Sequence, residues 1–113
     1  MLNLSVHQRH FLYGKSVDMR KSFDGLSGLI RDQMHGDPLS GDVFIFINRR
    51  RNQIKLLCWE KDGFMLFYKR LERGTFEWPI GDQSDISIEV LSSMLYGIKH
   101  CGVQKRKRDV HAA

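Results

Sequence analysis

Val43–Trp78, VFIFINRRRNQIKLLCWEKDGFMLFYKRLERGTFEW, holds most of the aromatic and strand-forming residues of the chain. VFIFI (Val43–Ile47) is apolar on both faces, as a strand near the middle of a sheet should be. IKLLCW (Ile54–Trp59) and FMLFYK (Phe64–Lys69) are apolar runs interrupted by single charges, too short for helices and patterned as strands. Asp62-Gly63 lies between two of these runs, and the pair tolerates the positive φ angles of a two-residue hairpin turn. Asn48–Gln53 forms the preceding connection and puts Arg49, Arg50 and Arg51 at a hairpin tip. Glu72-Arg73-Gly74 leads into TFEW as a fourth strand. The reading is an antiparallel meander of four strands with two basic tips.

Outside this stretch, RHFLY (Arg9–Tyr13) reads as a short strand that joins the meander, which gives a sheet of about five strands. Asp18 is placed to cap a helix on which Met19, Phe23, Leu26, Ile30 and Met34 share one face. Gly25 and Gly28 within it suggest close approach of its backbone to the sheet. Their GxxG spacing also occurs in single-strand nucleic-acid binders, but no basic residue lies inside it. HGDPLSG (His35–Gly41) is dense in turn formers and returns the chain to the sheet. Trp78-Pro79 ends the meander. Ser87 then caps a second helix whose inward face is Val90, Leu91, Met94 and Leu95, with Ile86 and Leu91 as a hydrophobic staple and Gly97 as the stop. The fold class is α+β: a mostly antiparallel sheet packed with two helices. Residues 1–98 form one domain, and 99–113 a flexible basic tail.

A chain of 113 residues is one domain's worth and buries about two thirds of its unfolded surface without staples. Its 42% hydrophobic and 11% aromatic content is that of a globular chain, with no apolar run long enough for a membrane span or a secretory signal. A cytoplasmic location is the expectation. Cys58 and Cys101 are too few for a zinc site and read as free thiols. The formal charge of +5 is local. Removing Lys105, Arg106, Lys107, Arg108 and Asp109 from 18 basic and 13 acidic residues leaves 14 against 12. The body is near neutral, and basic character collects at the tail, at Arg49–Arg51, at Arg20-Lys21 and at Lys69, Arg70 and Arg73. Such clusters attract phosphate backbones, although charges at strand edges and tips also serve to discourage aggregation.

No enzyme signature is present: no P-loop, dinucleotide turn, nucleophile elbow or HExxH helix. The five histidines lack metal-ligand spacing and read as surface residues. The carboxylates are scattered rather than gathered as a two-metal centre requires. No cofactor is expected.

VDMRKSFDGL (Val17–Leu26), DPLSGDVFIFINRRRNQIKLLCWEKDGF (Asp37–Phe64) and LFYKRLERGTFEWP (Leu66–Pro79) resemble the signature blocks of the TnpB (Orf2) accessory proteins of the IS-sixty-six family of bacterial insertion sequences. The resemblance runs over residues 9 to 97. It implies a non-enzymatic factor of transposition, encoded by the mobile element beside a separate transposase, with no catalytic residue to carry over. In that setting the basic tips become candidate DNA contacts: Arg49, Arg50 and Arg51 as one group, Arg20, Lys21, Lys69, Arg70 and Arg73 as another, with Lys105–Arg108 adding nonspecific attraction. Arg20, Lys21, Lys69 and Arg70 have a competing reading, as partners of Asp18, Asp24 or Glu72 that hold helix and sheet together. The alternative function is a protein adaptor that binds the transposase or another accessory subunit without autonomous DNA binding. Trp59, Trp78 and Tyr68 would then be its anchors.

Overall fold

The computed structural model describes residues 8–78 and 85–97. Its elements are β1 (His10–Leu12), α1 (Phe23–Asp32), β2 (Val43–Ile47), β3 (Gln53–Glu60), β4 (Gly63–Arg70), β5 (Asp85–Ile86) and α2 (Ile88–Tyr96). They form a five-stranded sheet in the order β4-β3-β2-β1-β5. The expected α+β class holds, with antiparallel pairing at every junction except one. β1 lies parallel to β2, with His10 opposite Val43, and α1 is the crossover that a parallel pair requires.

All five residues of β2 are buried, and strand alternation explains how. Phe44 and Phe46 point to one face, where they meet Leu57, Val17 and the α1 residues Leu26 and Ile30. Val43, Ile45 and Ile47 point to the other, where they meet Ile54, Leu56 and the α2 residues Leu91, Met94 and Leu95. The helices therefore cover opposite faces, and a strand between two cores must be apolar on both. Each fully buried Leu or Ile contributes roughly 1.5–3 kcal/mol relative to an exposed one.

α1 differs from the expected pattern at two points. Asp18 does not cap α1; Ser22 occupies the N-cap without a side-chain bond, and Asp18 instead binds Arg20 in the preceding turn. Gly25 and Gly28 do not mediate close approach to the sheet. A Cβ at Gly28 would meet nothing within 4 Å, and one at Gly25 would meet only the Lys21 side chain. The tight passage is at Gly36, where a Cβ would sit 3.2 Å from both Ile30 and Phe44. At α2 the Ser87 oxygen accepts from the Val90 N–H and Gly97 closes the helix at φ 71°, as its caps foretold.

Two further differences lie in the meander. The β3–β4 hairpin turns one residue early: Glu60 pairs with Gly63, and Lys61 takes the positive φ of 55°. The Asp62 N–H donates to the Glu60 carbonyl across it, so the tight turn centres on Lys61. TFEW is not a strand. The Phe76 N–H donates to the Arg51 carbonyl, and Phe76 and Trp78 pack into the core beneath α2. A place beside β4 would have left Phe76 partly in water, whereas this route buries it to 2% exposure.

His10 also departs from expectation. It is buried in β1, not on the surface, and its Nε2 has no hydrogen-bond partner among the described residues. Cys58 is a buried thiol, and burial pushes its pKa up. No described helix is long and apolar enough to cross a membrane. Pro79, His7, His100, His111, Cys101 and the tail with Lys105, Arg106, Lys107 and Arg108 lie outside the described residues.

Candidate nucleic-acid interface

The β2–β3 connection is a built turn. Asn48 is buried at its base, and its Oδ1 accepts from the Asn52 N–H at 3.0 Å and the Gln53 N–H at 2.9 Å. Its Nδ2 donates to the Asn52 side-chain oxygen at 2.8 Å. The backbone closes the same loop, the Asn48 N–H reaching the Gln53 carbonyl and the Arg51 N–H the Asn48 carbonyl. Arg51 sits at φ 60°. From behind, the chain leaving β4 clamps the turn: Leu71 N–H binds the Asn52 carbonyl and Phe76 N–H the Arg51 carbonyl. The tip is thus fixed through its backbone. Arg49, Arg50 and Arg51 are left exposed, and none forms an ion pair among the described residues.

The segment before α1 lies beside this tip. The Val17 N–H binds the Ile47 carbonyl at 2.9 Å, so the chain runs along the end of β2. Lys55 on β3 then holds it, its Nζ donating to the Met19 carbonyl at 2.7 Å and the Lys21 carbonyl at 2.8 Å. Between segment and tip is an open groove of about 660 Å³ lined by Ser16, Val17, Asp18, Met19, Arg20, Asn48, Arg49, Arg50 and Gln53. Three arginines and one aspartate line it, and of the three only Arg20 pairs with Asp18 among the described residues. Hydrogen bonds from the Arg20 side chain and N–H hold the Asp18 pKa down at about 2. Asp18 is therefore ionised at neutral pH and fixes Arg20 at the groove rim.

The second basic group is dispersed. Arg20 joins the Arg49–Arg50 groove, and Lys21 is exposed at the start of α1. Lys69 points to the α2 face, where its Nζ donates to the Leu95 carbonyl at 2.7 Å and sits 5.2 Å from the Tyr96 ring centre. That ammonium serves the C-terminus of α2, where carbonyls lack helical partners. Arg70 points to the α1 face and pairs with Glu72 at 3.4 Å; Arg73 is exposed in the next turn. The pairs Arg20–Asp18 and Arg70–Glu72 are exposed and span two residues each, so they order local chain rather than join helix to sheet. Trp59 packs edge-on against Phe64 and Trp78 against the α2-side core. Tyr68 is 48% exposed, with its hydroxyl donating to Gln53 Oε1.

The arginines are legible in the sequence; the residues that place them are not. Asn48 looked like a loop residue; its signal is its position at the last strand residue's edge with Asn52 four residues on, the spacing of a side-chain-closed turn. In the sequence Lys55 is one of the single charges that interrupt an apolar strand run. Nothing local marks it as the tie to Met19 and Lys21, which are more than thirty residues away. No cluster of three or more metal-binding side chains occurs among the described residues.

No solved structure matches this chain. Two proteins of Sinorhizobium fredii (strain NBRC 101917 / NGR234), each named an uncharacterized protein, are similar. One, y4hO, is 36% identical over 100 residues, covering 87% of each chain. The other, y4jC, is 35% identical over 79 residues, covering 70% of this chain and 68% of its own. Residues 8–105 match the family model described as IS66 Orf2 like protein, and with every described residue inside that match, the chain belongs to this family.

Proposed function

We propose that this protein assists insertion-sequence transposition by contacting DNA through the Arg49–Arg51 tip, beside the element's own transposase. The family implies the accessory role in transposition; the DNA contact is the finer step. The observation that carries it is the tip itself: three exposed arginines without ion pairs among the described residues, on a turn locked by the Asn48 side chain. A turn fixed this firmly loses little conformational entropy when its arginines bind phosphates. Arg20 extends the contact across the groove, and a projecting β-ribbon tip has the dimensions to reach a DNA groove. Lys21, Arg70, Arg73 and the Lys105–Arg108 run add attraction without base recognition. Lys69 is committed to α2 and contributes least.

The test is fluorescence anisotropy of the full chain with labelled duplex from the terminal repeats of its own element and with a scrambled duplex, over a salt series. Steeply salt-dependent binding, stronger for the repeats, supports end recognition. No binding to either duplex at low salt removes the DNA contact and leaves the transposase-adaptor reading, pursued by pull-down with the transposase.

A further inference from the structure

β4 is the outer strand of the sheet, yet it does not look like a terminated edge. It pairs with β3 through eight unbroken positions, Gly63 to Arg70, without a proline or a bulge. Its side chains Phe64, Met65, Leu66, Phe67 and Tyr68 are apolar or aromatic, and none is fully buried. Met65 is 36% and Tyr68 48% exposed. Edge strands are ordinarily blunted by charge, proline or distortion. Here the charges Lys69 and Arg70 stand at one end only, and the Lys69 ammonium is drawn away to the Leu95 carbonyl.

The ladder also fixes which backbone groups are unused. The Leu71 N–H binds the Asn52 carbonyl, and Glu60 pairs with Gly63 at the turn. Hydrogen-bonded pairs alternate in an antiparallel ladder, so the odd-numbered residues of β4 face β3. The N–H and C=O groups of Phe64, Leu66, Tyr68 and Arg70 point outward, free of any strand among the described residues.

We infer that a second copy of this chain pairs with this edge, antiparallel and two-fold symmetric about Leu66. In that register Leu66 faces its own counterpart and Tyr68 faces Phe64 of the partner subunit. On the opposite face Met65 meets Phe67 of the partner subunit, and Lys69 meets Gly63 of the partner subunit. At the ends Arg70 comes opposite Asp62 of the partner subunit, exchanging its exposed 3.4 Å contact with Glu72 for a cross-strand ion pair. Apolar meets apolar, opposite charges meet at both ends, and no like charges face each other, which is what antiparallel cross-strand pairing favours. The register uses the outward even-numbered groups, giving roughly six new main-chain hydrogen bonds between the two β4 strands. The axis stands perpendicular to the sheet, so the α1 layers of both copies lie on one side and the two Arg49–Arg51 tips at opposite ends of a continuous sheet.

The test is sedimentation equilibrium of the full chain over a wide concentration range. A species of twice 13.2 kDa is expected. Tyr68→Pro removes an outward N–H that β3 does not use and shifts the protein to monomer, with circular dichroism as the folding control. Asp62→Arg and Arg70→Asp each raise the dimer dissociation constant about tenfold, since the axis repeats every charge pair, and the double variant restores it. Loss by both single variants with recovery in the double one is not produced by misfolding. A monomer at every concentration, or a dimer indifferent to all of these changes, overturns the inference. So does a monomer whose β4 becomes protected only when the transposase is added, which assigns the edge to that partner.

Discussion

Replacing Asn48 by Ala separates the geometry of the arginine tip from its charge. The side chain makes three hydrogen bonds of 2.8–3.0 Å inside the turn, and its residue is buried. At about 1 kcal/mol for each bond, with the Asn52 and Gln53 N–H groups left without that acceptor, the loss is ~2–3 kcal/mol. For a domain of this size that lowers the melting temperature by roughly 10–20 °C. The three arginines remain, so at low temperature, where the variant is still folded, the salt slope of DNA binding stays near native. Affinity at fixed salt falls, because the tip must now be ordered on binding. Thermal melts by circular dichroism read the first effect, and anisotropy titrations at two or more salt concentrations the second. A melting temperature within about 2 °C of native would refute the reasoning, since the turn would then be held by its backbone bonds alone.

Three further outcomes are expected. Ser87→Ala removes the N-cap acceptor of the Val90 N–H and costs ~1 kcal/mol, a fall of roughly 4–8 °C in melting temperature, with no change in DNA binding. Lys69→Met loses the bond to the Leu95 carbonyl and destabilises by ~1–2 kcal/mol, while the salt slope stays native; a flatter slope would move Lys69 into the DNA contact. Burial holds the His10 pKa below its ordinary value, against the opposing pull of a hydrogen bond to the Ile86 backbone and the Asp42 and Asp85 carboxylates. The unfolded chain therefore takes up the proton first as pH falls. This contribution to stability is full above about pH 6.5 and is lost below it, down to the lower folded pKa. The urea midpoint should drop over that window, His10→Leu should flatten the dependence, and a flat native profile would contradict the assignment.

What could be read from the sequence followed the range of the forces involved. VFIFI announced a central strand because burial on both faces leaves a compositional mark, and Ser87 with Gly97 announced α2 because caps are local. The arginines at 49–51 were legible as a tip because two strand patterns bracket them. Partnerships across the chain were not. TFEW has strand composition, but Phe76 is drawn under α2 by a core that no local pattern reveals, and Asp18 is a good cap residue taken by Arg20 two positions on. His10 sits in a strand whose burial comes from β5 and β2 on either side. The dispersal of Lys69 and Arg70 follows from alternation alone: neighbours on a strand point to opposite faces, so their adjacency in sequence separates them in space.

The most direct measurement is the salt dependence of duplex binding for the native chain beside the triple variant Arg49→Ala, Arg50→Ala, Arg51→Ala. If each arginine neutralises one phosphate, the slope of log affinity against log salt flattens by about 2.7, and affinity near 0.1 M salt falls by up to about 500-fold. Equal slopes and equal affinities for the two folded proteins would contradict the assignment of this tip to DNA.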